Sequence, residues 1–107
     1  MDQSKYVVVL VTAKDVAEAQ KIAKGLLEAK LVACANLVFE VQSFFRWQGK
    51  IDKANEVLLV LKAPADKFTE IIKKVKSLHS YDVPEVIALP IIAGNEDYLK
   101  WLDESVK

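Results

Sequence analysis

Leu31-Val-Ala-Cys-Ala-Asn-Leu-Val-Phe-Glu-Val-Gln-Ser-Phe-Phe-Arg-Trp47 decides how this chain folds. Its first half, Leu31–Phe39, is apolar on both alternating sides. Its second half alternates, with Phe39, Val41, Phe45 and Trp47 on one side and Glu40, Gln42 and Arg46 on the other. Both patterns belong to strands. At about 3.3 Å per residue the whole stretch would approach ~50 Å, far beyond an ordinary strand. It is therefore predicted to bend or carry a bulge, with part of it projecting from the body. Gln48-Gly49 follows as a two-residue hairpin turn, where glycine supplies a positive φ. Lys50–Lys62 returns, with Val57–Leu61 as its buried part.

On the N-terminal side, Val7–Val11 is a β-branched run and reads as a strand. Asp15 and Glu18 have capping-box spacing. Val16, Ala19, Ile22, Ala23, Leu26 and Leu27 then share one helical face, with Gly25 allowing close packing. On the C-terminal side, Ala63-Pro64 opens a second helix whose apolar face is Phe68, Ile71, Ile72, Val75 and Leu78. His79-Ser80-Tyr81-Asp82 is a loop, closed to helix by Pro84. Val86–Ile92 is a last strand, and Pro90 assigns it to an edge or a bulge. Asn95 caps a short helix, Glu96–Ser105. The order β-α-β-β-α-β plus a terminal helix predicts an α/β (α+β) ferredoxin-like sheet in a single domain, residues 1–107.

Composition narrows the function. Fifteen basic and fifteen acidic residues balance, which disfavours nucleic acid as a partner. The first and third strands also lack the base-stacking aromatics of an RNA-binding sheet. Cys34 is the one cysteine, so no intrachain disulfide forms. Tyr6–Val11 is too short for a membrane span, which takes about 20 residues, and a cytoplasmic protein is expected. No phosphate loop, nucleophile elbow, HExxH or CxxC occurs, so an enzyme is not indicated.

The strands carry a second message. Val7, Val9 and Val11 oppose Val8 and Leu10; Val57, Leu59 and Leu61 oppose Leu58 and Val60; Val86 and Ala88 oppose Ile87 and Leu89. Two helices cover one face of such a sheet, and the other would expose an apolar patch too large for most monomers. A homo-oligomer is expected, packed sheet against sheet and edge to edge along the long hairpin. The alternative is a terminal helix that closes the face alone.

Three stretches, Leu31-Val-Ala-Cys-Ala-Asn36, Phe45-Arg-Trp-Gln-Gly-Lys50 and Leu78-His-Ser-Tyr-Asp-Val-Pro-Glu85, together with Asp97-Tyr-Leu-Lys-Trp-Leu102, resemble the CutA family of divalent-cation tolerance proteins. The resemblance runs from about Val7 to about Glu104. It implies a homotrimer of ferredoxin-like subunits, PII-like in shape, linked to tolerance of divalent cations and copper especially. Some bacterial relatives are thought to hold copper with a Cys ending the first strand and a His-His pair after the second helix. This chain has Val11 and Leu78 at two of those positions, keeps His79, and has Ser80 where the family loop has Pro.

Several residues stand out as site candidates. His79 reads either as a metal ligand or proton carrier, or as a cap on the preceding helix. Cys34 reads as a small buried hydrophobe or as a metal or redox group. Phe44, Phe45 and Trp47, beside Arg46 and Lys50, form an aromatic and cationic rim or an interface anchor. Trp47, Lys50, Lys62, His79, Tyr81 and Glu85 are expected to share one pocket between subunits. The function read from this is a non-enzymatic, metal-binding or metal-responsive protein. A PII-like sensor of a small anionic metabolite and a protein-interaction module are the alternatives.

Overall fold

The structure is a computed structural model and describes residues 4–107. Eight elements follow the predicted order: β1 (Tyr6–Ala13), α1 (Val16–Glu28), β2 (Cys34–Trp47), β3 (Lys50–Pro64), a turn of 3-10 helix (Ala65–Lys67), α2 (Phe68–Leu78), β4 (Val86–Pro90) and α3 (Glu96–Ser105). The strands form one antiparallel sheet in the order β2-β3-β1-β4, the ferredoxin-like arrangement.

Local chemistry sets the boundaries. Asp15 Oδ1 accepts from Glu18 N at 2.8 Å and starts α1. That helix ends in a Schellman turn: Leu31 N donates to Leu26 O and Lys30 N to Leu27 O, with Lys30 at φ 56°. Leu31 and Val32 are consequently buried plugs, and β2 begins at Cys34 rather than at Leu31. The second helix also starts later than predicted. Ala63 and Pro64 stay in β3 opposite Val7 and Tyr6, and the chain turns only after Pro64. β4 is an edge strand and stops at Pro90, which has no N–H to extend the ladder; Ile91 N makes the last bond, to Tyr6 O.

The predicted bulge lies between Val38 and Val41, with Glu40 at φ 60°. Val38 opposes Leu58 and Val41 opposes Glu56, so β2 carries one extra residue. Cross-strand partners share a face, and one extra residue reverses the alternation. Cys34, Asn36 and Val38 therefore share a face with Val41, Ser43, Phe45 and Trp47. Beyond Val57 the hairpin has no β1 partner and projects as an arm, closed by Gln48 and Gly49, both at positive φ.

α1 and α2 cover one face. Val9, Val11, Ala13, Leu59, Leu61 and Ala63 point into it and are fully buried with Ile22, Leu26, Ile71 and Val75. The helices meet closely at Gly25, where a Cβ would come within 2.7 Å of Leu78 Cδ1. The opposite face is closed at one end only. There α3 buries Leu102, and Tyr6 Oη donates to Asp103 Oδ2 at 2.6 Å. Away from α3, Val38, Ile87 and Leu89 remain 45%, 49% and 46% exposed. The terminal helix does not close this face alone.

Candidate functional site

The sheet end at Thr12 gathers polar groups from four elements. β1 brings Thr12, the first turn of α1 brings Glu18, the C-terminus of α2 brings His79, and the loop to β4 brings Ser80 and Tyr81. His79 Nε2 lies 2.7 Å from Thr12 O, so that nitrogen carries the proton. Nδ1 then keeps a lone pair and accepts from Tyr81 N at 3.1 Å; it also lies 3.6 Å from Glu18 Oε1. The imidazole is fully enclosed, and its ring centroid is 4.7 Å from that of Tyr81.

Glu18 serves two neighbours. Oε1 accepts from Lys14 N at 3.2 Å and Oε2 from Ser80 N at 3.0 Å. Burial alone would raise this carboxyl's pKa, but the bonds from Ser80 and Lys14 outweigh it and hold the pKa below 4.5. The predicted capping-box glutamate thus also pins the loop that follows α2. Tyr81 Oη donates to Glu56 Oε2 at 2.9 Å. Burial first, and then the bond and charge of Glu56, push the Tyr81 phenol up to about 12.

An open cleft of about 780 Å³ lies between this loop and the projecting arm. Phe44, Phe45 and Trp47 line it from the arm, with Asp52 beside them and Glu56 deeper on β3. Tyr81, Asp82, Val83 and Glu85 form the facing wall, and Thr12 closes the base. Three of the six residues predicted to share a pocket therefore line one cleft: Trp47, Tyr81 and Glu85. His79 packs beneath Tyr81. Lys50 pairs with Trp47 next to the turn but lies outside the lining, and Lys62 sits elsewhere.

Lys62 belongs to the other end of the sheet. It pairs with Cys34 across β2 and β3, donates to Asn36 Oδ1, and places Nζ 4.0 Å from Cys34 Sγ. Burial first, and then Cys34, raise the pKa of the nearby Tyr98 phenol. Lys62 opposes Val8, whereas the His79 partner Thr12 is four residues further along β1, roughly 13 Å at strand spacing. Within one chain, Cys34 and His79 are not brought together.

Residue by residue, a divalent metal fits this chain poorly. His79 has both nitrogens engaged and no solvent access. Among the described residues, no group of three or more His, Cys, Asp or Glu side chains is placed to hold a metal ion. Copper or zinc takes three or four ligands.

Thr12, Glu18, Asp52 and Glu56 are site residues that sequence reasoning missed as such. Glu56 left a signal: it precedes the apolar Leu58 and Val60 on one side of β3, a side on which Asp52 is the other acidic residue.

The comparisons with known proteins agree on one family. Residues 7–105 match CutA1 divalent ion tolerance protein. The chain is 44% identical over 99 residues to the divalent-cation tolerance protein CutA of Archaeoglobus fulgidus, spanning 92% of this chain and 96% of that protein. It is 45% identical over 98 residues to that of Thermus thermophilus, spanning 92% and 95%. A solved structure described as the periplasmic divalent cation tolerance protein CutA from Archaeoglobus fulgidus superimposes with a TM-score of 0.93, covering 95% of this chain and 99% of that one at 43% identity. With a match across nearly its whole length, the chain belongs to the CutA1 divalent ion tolerance family.

Proposed function

We infer that this chain acts in divalent-cation tolerance as a non-enzymatic homotrimer, with ligand sites in clefts completed between subunits. The observation that carries this reading is the uncovered sheet face. Val38, Ile87 and Leu89 stand exposed there beside half-buried Val8, Leu10, Leu58 and Val60. Continuous apolar surface of this kind is normally buried by association. The arm adds exposed Phe44, Trp47 and Ile51, suited to an edge contact with a sister chain.

The names of the relatives support the cation-tolerance role. The engaged nitrogens of His79 argue against a preformed copper centre within one chain. Copper binding, in this reading, requires ligands drawn from more than one subunit. The part of the cleft this chain supplies carries four carboxylates and, among the described residues, no Lys, Arg or His, so in this reading any positive charge that held a small anionic metabolite there would come from a neighbouring subunit.

Sedimentation equilibrium at micromolar concentration tests the assembly. The expected mass is three times the 12.0 kDa chain, and Leu89→Asp should release smaller species. A parent protein that sediments at 12.0 kDa would end the trimer reading. Equilibrium dialysis with Cu²⁺ and Zn²⁺ on the same samples tests the metal. Any binding should vanish with dissociation; stoichiometric copper on the dissociated chain that is lost in His79→Ala would refute an assembly-dependent site.

A further inference from the structure

His79 is the one histidine of the chain, and its ring is sealed by the chain's own residues, with no neighbouring subunit needed to enclose it. Its two nitrogens have different partners. Nε2 donates to Thr12 O at 2.7 Å, a part-buried bond to the backbone of β1. Nδ1 accepts from Tyr81 N at 3.1 Å, at the surface, and so fastens the loop that follows α2. This pair of bonds requires a neutral ring with its single proton on Nε2. A second proton has one place to go, Nδ1, where it faces the Tyr81 N–H, donor against donor. Glu18 Oε1 stands 3.6 Å from the same nitrogen, beyond hydrogen-bond reach but close enough for an ion pair. That oxygen accepts from Lys14 N, and a carboxylate oxygen can take a further donor. The titratable groups around the ring come from each packed element. Lys14, Asp15 and Glu18 stand at the start of α1, Tyr81 on the loop with ring centroids 4.7 Å apart, and Glu56 on β3 behind the Tyr81 hydroxyl. β1 contributes the Thr12 carbonyl, and α2 its negative C-terminal end.

We propose that His79 is a proton-operated clip on the loop between α2 and β4. Neutral, it fastens the loop through the Tyr81 N–H; protonated, it turns Nδ1 to Glu18 and releases that N–H to water. The bond to Tyr81 is the one that yields. Thr12 O accepts from Nε2–H in both charge states, whereas Nδ1 accepts only while the ring is neutral. Tyr81 is also exposed, so water replaces the lost acceptor and release strands no buried group. Histidine is the side chain suited to such a change between about pH 5 and 8. The loop it fastens supplies one wall of the cleft, through Tyr81, Asp82, Val83 and Glu85. The clip itself requires neither a cleft ligand nor a trimer, since every group in it belongs to one chain.

Nitrogen-15 NMR of the full chain between about pH 8 and pH 5 tests this, because a lone histidine gives one imidazole spectrum. At the upper end the ring should carry its proton on Nε2. As it takes the second proton, the Tyr81 amide should shift with the same midpoint. The hydrogen-exchange protection of that amide should fall by about twofold to tenfold, the worth of one such hydrogen bond. His79→Asn keeps an acceptor for a backbone N–H two residues on but does not titrate, so its Tyr81 protection should stay level across the range. Glu18→Gln keeps an acceptor without its charge and should lower the pH at which the ring and the Tyr81 amide change together. A proton on Nδ1 at the upper end, or a ring that charges while Tyr81 keeps its protection, overturns the clip. So does a ring that stays neutral until the chain unfolds in acid, or a Tyr81 amide that responds to acid equally in His79→Asn. A midpoint unmoved in Glu18→Gln overturns Glu18 as the group that receives the ring. The titration of the parent decides the clip even where a variant fails to fold.

Discussion

Both ends of β1 carry a polar cluster, and the two are built on different principles. At the Thr12 end, Glu18 is 8% exposed, the His79 ring is enclosed, and part-buried bonds tie the two to Lys14, Ser80 and Thr12. At the Tyr6 end, Tyr6 meets Asp103, Lys30 Nζ meets Lys107 O at 2.9 Å, and Lys62 meets Asn36 at the surface. The distances are alike but the alternatives are not. A group that loses its partner beside buried Glu18 and His79 is rehydrated less completely than one at the open end. Equal bond lengths therefore carry unequal weight, and the enclosed end should govern how the cleft-forming loop is held.

The largest expected effect is at Glu18. Glu18→Ala strands the N–H groups of Lys14 and Ser80 and should cost about 2–3 kcal/mol in urea unfolding. A cost below about 0.5 kcal/mol would put the two ends on the same footing. The pH dependence sharpens the test. The native carboxyl titrates below 4.5, so the unfolded chain takes up this proton at higher pH than the folded one. The contribution is complete above that ordinary value and is lost as the pH falls through the native one. Glu18→Gln should flatten this acid limb of the stability curve; a limb identical to that of the parent would assign the acid sensitivity to other carboxyls.

A smaller effect is expected at Tyr81, which bridges the enclosed cluster and the cleft. Tyr81→Phe removes the donor to Glu56 and should cost about 1 kcal/mol. With the phenol pushed up to about 12, the native state favours the protonated form. Its contribution is present below the ordinary value of 10.0 and fades as the pH rises through the native one. Ultraviolet titration should show one late-ionising tyrosine that disappears in Tyr81→Phe. An unchanged late step would place it on another tyrosine.

This contrast also marks what the sequence could disclose. Element order was legible because each signal is local: the Val7–Val11 run, the Asp15 cap, the Gln48-Gly49 turn and Asn95 before α3 act within a few residues of themselves. The need for cover on the second face was legible from the two-sided strands. The position of the bulge was not, because Glu40 at positive φ breaks the residue-type preference. Nor was the end of α1, where Lys30 occupies the left-handed position usually held by glycine. The candidate site was half legible. Trp47, Tyr81 and Glu85 lie in motifs and meet at one cleft. Lys62 was grouped with them by motif, but register places it with Cys34, because only pairing reveals which end of β3 a residue occupies. Glu18 and Glu56 reach their partners across 62 and 25 residues of chain, a link that no local pattern carries.

The smallest effect is expected at the open end, where it tests the comparison from the other side. Tyr6 donates to Asp103 over 2.6 Å, the shorter of the two tyrosine–carboxylate bonds among the described residues, and this bond with burial and the Asp103 charge raises the phenol's pKa. Length alone would rank it above the Tyr81–Glu56 bond. The acceptor's accessibility ranks it below, because half-buried Asp103 can exchange the phenol for water more readily than Glu56 at 8% exposure, while the Phe ring in Tyr6→Phe keeps the packing. The unfolding midpoint of Tyr6→Phe should therefore match that of the parent, and α3 should keep its protection in hydrogen exchange, since Leu102 holds it by burial. A loss as large as that of Tyr81→Phe, with faster exchange confined to α3, would mean that the helix hangs on this one bond and that enclosure is not what separates the two ends.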